Sequence, residues 1–286
     1  MKSIFRTTVV LLTLLAAVSC NIDFMYIQIP NTSWSITEGD QRAFAHFSTN
    51  GRATILQRNT ESSAVQMING TYTADGHAVD VVSDEGSTNR LIRTFSHLKS
   101  SKNKNFSTFK PEDYADVDNT VWATILRDNL HVYYFEPDGT SKFYTFVNVC
   151  HEEGLPYGWS REIGTYSLVG SHLSIGNESA ILFSEVMLVD DTWYMHFPPN
   201  EDSGKSDLKG TAWTYVTSSF PGMIIFDTNS SFTRILVASR ILFQASRGTY
   251  TQDGDVITMT LDGKIEQAVI ADGKFTFMER TFSLYE

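Results

Sequence analysis

Thr211-Ala212-Trp213, then Phe226-Asp227-Thr228-Asn229, then Gly248-Thr249-Tyr250 and Asp253-Gly254 form a spaced pattern near the end of the chain. The pattern occurs three times. Thr32-x-Trp34 and Thr120-x-Trp122 repeat its first element, and in every copy a Phe follows the Trp by 13 positions: Phe47, Phe135 and Phe226. Gly-Thr-Tyr begins at Gly70, Gly164 and Gly248, and 6 positions after each stands a second glycine, Gly76, Gly170 or Gly254. Tryptophan occurs only 5 times in 286 residues, so three copies that hold both intervals define an internal repeat with a period of 88 and then 91.

Outward from this pattern the chain reads as strands and turns. In repeat 1 a short strand from Trp34 turns at Glu38-Gly39-Asp40, and a second strand runs from Arg42 to Phe47. Asn50-Gly51 is a hairpin signal, because Asn and Gly tolerate the positive φ of tight turns, and Ala53 to Leu56 supplies the next strand. The same two offsets carry Arg127-Asp128-Asn129 and Asp138-Gly139 in repeat 2, and Ser219-Phe220-Pro221-Gly222 and Asn229-Ser230 in repeat 3. Each repeat therefore opens as a three-strand meander. Gly-Thr-Tyr then enters a strand that turns at Asp75-Gly76, Val169-Gly170 or Asp253-Gly254 and returns as an alternating segment. In the clearest case, Ile257, Met259 and Leu261 share one face and Thr258 and Thr260 the other. Aromatic strands close the units: Leu91 to Phe95, Trp193 to Phe197, and Phe275 to Phe277 with Phe282 to Tyr285. No helix is predicted.

These readings predict an all-β chain of antiparallel meanders arranged as three tandem small barrel-like units at 31–115, 116–207 and 208–286. At about 10 residues per strand and turn, each unit has room for six to eight strands. That suffices for a small closed barrel, whose closure removes exposed sheet edges. Polar stretches from Lys99 to Asp118 and from Pro198 to Lys209 read as linkers.

The Gly-Thr-x-Trp opening at Gly210 to Trp213, with the Phe, Asx-Gly, Gly-Thr-Tyr and Asp-Gly elements, resembles the small lipocalin-like domains of Bacteroidota lipoproteins. The resemblance covers nearly the whole chain after its first 30 residues, with Asn31 and Asn119 standing where the family has Gly. It implies lipocalin-like barrels. Ligand binding does not follow from it, since fold and function are separable.

The first 19 residues read as an export signal: Lys2 and Arg6 precede an apolar run from Val9 to Val18, too short for a spanning helix of about 20 residues. Ala17-Val18-Ser19-Cys20 resembles a lipobox, which implies a lipid on Cys20, a tether over 20–30, and an outer-membrane-anchored protein on the periplasmic or outer face. A lipidated Cys20 leaves Cys150 without an intramolecular disulfide partner. Loss of Lys2 and Arg6 takes the net charge from −11 to −13, and no basic face is evident in the sequence, so nucleic acid is not an expected partner. An acidic surface is repelled by anionic headgroups, so the membrane contact is assigned to the lipid anchor.

No catalytic or metal motif stands out. The 7 histidines show no His-x-His or His-Glu-x-x-His spacing, and no Gly-x-Ser-x-Gly elbow occurs. Neither a metal nor a cofactor is expected. The one departure from the repeat lies between the motif Phe and Gly-Thr-Tyr, which are 23 and 22 positions apart in repeats 1 and 3 but 29 apart in repeat 2. The surplus falls at His151 to Ser160, a loop carrying Tyr157 and Trp159. Either its aromatics fold back on the domain, or His151, Tyr157 and Trp159 form a recognition element for a glycan, an apolar small molecule or a protein. The first reading of function is an envelope binding protein that is not an enzyme; the second is an accessory lipoprotein whose repeats act as spacers, and an enzyme ranks a distant third.

Overall fold

The computed structural model describes residues 27–94, 96–100, 104–149, 157–199, 202–216 and 220–285, and every regular element within them is a β-strand. Repeat 1 contributes β1 (Thr32–Glu38), β2 (Gln41–Phe47), β3 (Arg52–Asn59), β4 (Ala64–Ala74), β5 (Ala78–Ser83), β6 (Thr88–Arg93), β7 (Leu98–Ser100) and β8 (Asn105–Thr108). Repeat 2 contributes β9 (Val121–Leu126), β10 (Asn129–Phe135), β11 (Thr140–Val147), β12 (Gly158–Val169), β13 (His172–Ile175), β14 (Glu178–Leu182), β15 (Val186–Val189) and β16 (Thr192–Phe197). Repeat 3 contributes β17 (Ala212–Val216), β18 (Pro221–Ile225), β19 (Ser231–Ser239), β20 (Leu242–Asp253), β21 (Val256–Leu261), β22 (Lys264–Val269), β23 (Lys274–Phe277) and β24 (Arg280–Tyr285).

Two of the three sets close. β9 to β16 form a closed antiparallel barrel in chain order, sealed where β16 pairs β9 at Met195↔Ala123, His196↔Trp122 and Phe197↔Val121. β1 to β8, first in chain order, also form a ring, in which β4 pairs β5 and β8 returns to β1 at Trp34↔Thr108 and Ser35↔Ser107. The third set runs β22-β21-β20-β19-β18-β17-β24-β23, and no ladder joins β22 to β23. At that seam the Glu266 carboxylate accepts the Met278 backbone N–H at 3.0 and 3.2 Å instead. Of the three barrel-like units expected, two are closed barrels and the third is an open eight-strand array. The linker expected from Lys99 is corrected, since Lys99 and Ser100 end β7 and Asn105–Thr108 is the strand that seals the first ring.

By spatial contact the chain divides into two compact units. The first takes the chain through Ile36, with Ala45–Ala53 and Asn69–Phe109; the second takes Thr37–Phe44, Thr54–Ile68 and the chain from Lys110 onward. β1, β2, β3 and β4 contribute residues to both. Within the second unit the start of β4 pairs β20, at Leu242↔Gln66, Phe243↔Val65 and Gln244↔Ala64.

The repeated residues build one local structure three times. Asn31, Asn119 and Gly210 hold φ of 57°, 58° and 79°, a left-handed turn that Asn and Gly enter more readily than other residues. Their backbone N–H groups donate to the carbonyls of Phe47, Phe135 and Phe226 at 2.6, 2.7 and 2.8 Å. The motif threonines donate back three residues, to the carbonyls of Ile29, Val117 and Leu208, and accept the indole N–H of Trp34, Trp122 and Trp213 at 2.8, 2.8 and 2.9 Å. The tyrosines of Gly-Thr-Tyr meet the motif phenylalanines edge-on, with ring centroids 5.1, 4.9 and 4.7 Å apart. Their hydroxyls donate to the carbonyls of Ser48, Glu136 and Thr228. Each indole and phenol thus satisfies its polar atom while its ring body fills the interior.

These rings occupy the space that a ligand cavity would need. In the second barrel Trp122, Tyr133, Phe135, Leu173, Leu182, Met187 and Tyr194 form one buried cluster. In the third array Trp213, Phe226, Phe232, Met259, Phe275 and Phe282 form another. Eight strands enclose an interior only just wide enough for side chains, and here large aromatics take it.

Candidate functional site

A polar cavity of about 580 Å³ lies within the second unit, outside the aromatic cores. Its cations are Arg42 on β2, Arg58 on β3 and Arg247 on β20; Glu185 from the β14–β15 turn and His196 from β16 complete its charged and titratable lining, with Asp262 from the β21–β22 turn. The remaining wall is rich in hydroxyls: Thr60, Ser63, Ser184 and Ser246.

Local structure sets each of these side chains. Glu185 occupies a tight turn in which the Phe183 N–H donates to the Val186 carbonyl at 2.9 Å, and Tyr114 Oη donates to the carbonyls of Phe183 and Ser184 at 2.7 and 2.8 Å. The backbone N–H of His196 donates to the Glu185 carbonyl at 2.9 Å, which fixes the two residues side by side. The His196 ring stacks on Trp122 at 4.1 Å and 10°. Arg42 pairs with Glu185, and Arg58 Nη1 lies 3.8 Å from Glu185 Oε2. Arg247 is anchored by its Nη atoms, which donate to the Phe197 carbonyl at 3.0 Å and Thr233 Oγ1 at 3.3 Å and contact the carboxylate of Asp227 at 3.2 Å. Asp227 is fully buried and also accepts from the hydroxyls of Ser231 and Thr233.

Burial and the neighbouring arginines act together on the titratable groups of the cavity. Burial, followed by the charges of Arg247 and Arg58, depresses the His196 imidazolium to about 3, so the ring is neutral at physiological pH. Burial and then the like charge of Arg42 push the Arg58 guanidinium down, and burial pushes Arg247 down although Asp227 opposes the shift. Asp227 itself is pushed up by burial, with Arg247 and the hydroxyl donors acting against it. Four polar atoms of the lining residues are withdrawn from solvent with no hydrogen-bond partner: Arg58 Nε, Arg247 Nε, His196 Nε2 and Glu185 Oε2. Such atoms cost about 1–3 kcal/mol each, so their concentration at one cavity calls for a reason.

The sequence-predicted Tyr157 and Trp159 lie elsewhere. Trp159, on β12, faces Phe146 across the β11–β12 ladder with ring centroids 5.0 Å apart, and Tyr157 meets the same ring at 5.0 Å and 88°. Tyr285 lies 6.4 Å from Trp159. Phe146 is fully buried and Tyr157 and Trp159 are half-buried, so these two rings pack on the barrel wall. His151 and Cys20 fall outside the described residues. Arg42, Arg58, Glu185 and Arg247 carried no motif and are far apart in sequence; only the fold brings them together. Among the described residues no three His, Cys, Asp or Glu side chains gather as a metal site.

No protein-family model matches the chain, and no curated protein matches it. Among solved structures it is similar to the DNA polymerase III subunit beta from Pseudomonas aeruginosa, at 5% identity over 91% of this chain and 94% of that one with a TM-score of 0.13. It is also similar to the subunit beta sliding clamp from Bartonella birtlesii LL-WM9, at 7% identity over 90% and 92% with a TM-score of 0.13. At that TM-score the similarity carries no argument about fold or function.

Proposed function

We propose that the protein is a non-enzymatic cell-envelope lipoprotein, anchored through Cys20, that binds a small polar molecule in the cavity lined by Arg42, Arg58, His196 and Arg247. In this reading the lipocalin-like repeats are scaffolds. The observation that carries it is the contrast between the two kinds of interior. The motif tryptophans and tyrosines in the repeat cores have their polar atoms hydrogen-bonded, whereas the cavity at Arg42, Arg58, His196 and Arg247 is walled by residues four of whose buried polar atoms have no partner. Its volume falls in the range of about 300–1,000 Å³ typical of small-molecule sites.

Two measurements test this reading. Fractionation of cells should find the wild-type chain in the outer membrane and Cys20→Ala in the soluble fraction; a variant that still sediments after a high-salt wash contradicts the anchor. A thermal-shift screen of sugars, organic acids and fatty acids on the Cys20→Ser chain should find a polar ligand that raises Tm in proportion to its excess over Kd. Ser246→Trp, which fills the cavity, should abolish that shift. A spacer protein shows no shift with any compound.

A further inference from the structure

We infer that the cavity is built for a sugar bearing a single negative charge, a hexuronate or a sugar sulfate monoester, an inference that rests on the binding function proposed above. Charge, hydroxyl lining and unmet hydrogen-bond capacity all point to this class.

The charge argument starts from the pairs already made. Arg247 is paired with buried Asp227, and Asp262, also of the lining, acts on Arg234 outside the cavity and favours its charged form. That leaves Arg42 and Arg58 facing Glu185, two cations against one carboxylate, with His196 held neutral between them and Arg247. One positive charge is in surplus. A monoanion balances it. A phosphate monoester, with about −1.5 to −2 at neutral pH, would leave the site negative.

The surplus shows itself locally. Arg58 is half-buried with a like charge beside it and its Nε–H without an acceptor. A carboxylate or sulfate presents two oxygens at the spacing of the guanidinium fork, so a small rotation of Arg58 toward the cavity would pair Nε–H and Nη–H with one anion. His196 is 9% exposed, and its Nε2 is also without a partner. As a neutral ring it can donate to the anion or accept from a hydroxyl, depending on its tautomer.

The rest of the wall is suited to a polyol. Glu185 Oε2 lacks a donor, Ser63, Ser184 and Ser246 each offer a hydroxyl that can donate or accept, and the Thr60 hydroxyl, which donates to Asp40, can still accept. Apolar lining is confined to Phe197, Pro198 and Ala245, too little for a fatty acid to bury its tail. A site with donors for an anion at one point and hydroxyl partners around it fits an acidic sugar better than a simple organic acid.

Calorimetric titration of the Cys20→Ser chain with D-galacturonate, D-glucuronate, glucose 6-sulfate, D-galactose and D-glucose tests the inference. At least one acidic sugar should bind ten-fold or more tightly than its neutral counterpart, and Arg58→Gln should remove that preference while leaving Tm within a few degrees. Should Arg58→Gln fail to fold, Arg42→Gln must remove the same preference. Binding by both carboxylated and sulfated sugars assigns recognition to charge, and binding by the carboxylated sugars alone assigns it to the planar fork; both support the inference. Equal binding of neutral and acidic sugars, blocked by Ser246→Trp, overturns the anionic class and leaves the cavity as a binding site. Acidic-sugar binding that both arginine variants retain overturns the site. If no sugar binds, the inference fails, and the broader screen with Ser246→Trp decides the binding function separately.

Discussion

Asn119 stands where the third repeat has Gly210, and both residues are in the left-handed region, at φ of 58° and 79°. The exchange of Gly for Asn between repeats is therefore conservative in backbone terms. Asn119 also carries a buried Oδ1 without a hydrogen-bond partner. Asn119→Gly should accordingly leave the denaturant midpoint unchanged or raise it, while Asn119→Ala should lose about 1–2 kcal/mol, the cost of a Cβ in that region; equal effects of the two would show that the torsion is not the constraint. His196 gives a second residue-scale test. Its folded value, about 3, lies below the ordinary 6.5, so the unfolded chain binds the proton first as pH falls, and the stability present above 6.5 is lost on the way down toward 3. Between pH 7 and pH 5 the wild type should lose about 2 kcal/mol more than His196→Gln. Parallel acid limbs for the two proteins would place the burial elsewhere. At this scale the sequence was highly legible. Thr, Trp, Phe, Gly and Tyr at fixed intervals recur because each contributes one hydrogen bond or ring to the same turn, and short spacings along a chain are what such local structure leaves behind.

Among the elements, polarity hid one feature that ring closure requires. Asn105–Thr108 has one half-buried and three exposed residues, so nothing in its composition separates it from a linker, and its role as the sealing strand follows from pairing with β1. Such a strand is specified by its partner's unpaired N–H and C=O groups more than by its own side chains. The surplus residues of repeat 2 were visible as a length difference, but which way their rings turn was not. Tyr157 and Trp159 lie on Phe146, and Trp159 reaches toward Tyr285 of β24. Tyr157→Ala with Trp159→Ala should therefore lower the unfolding free energy by about 2 kcal/mol or more, as truncation of packed aromatics does. A loss below about 1 kcal/mol, typical of surface changes, would mean the rings are free to meet a ligand. The cavity was the least legible part. Arg42, Arg58, Glu185 and Arg247 come from four different strands or turns, and their only sequence signal is a charged side chain inside or between otherwise apolar strands, which solvent exposure explains equally well.

For the whole molecule, threefold repetition of sequence does not produce three equal bodies. β1–β8 and β9–β16 close, whereas β17–β24 stays open between β22 and β23. The local turn encoded by the motif is the same in all three, so closure depends on pairing between strands distant in sequence, which the motif does not specify. What the three sets share is an interior occupied by aromatic rings, and the central claim is that these interiors are scaffold and that ligands bind outside them. The indole N–H resonances of Trp34, Trp122 and Trp213 report on this directly, because each is bonded to its motif threonine deep in a core. In a ¹⁵N–¹H spectrum recorded during titration with a fatty acid, all three should stay in place; movement of any of them on titration would show a core that opens to admit an apolar ligand, and would contradict the account.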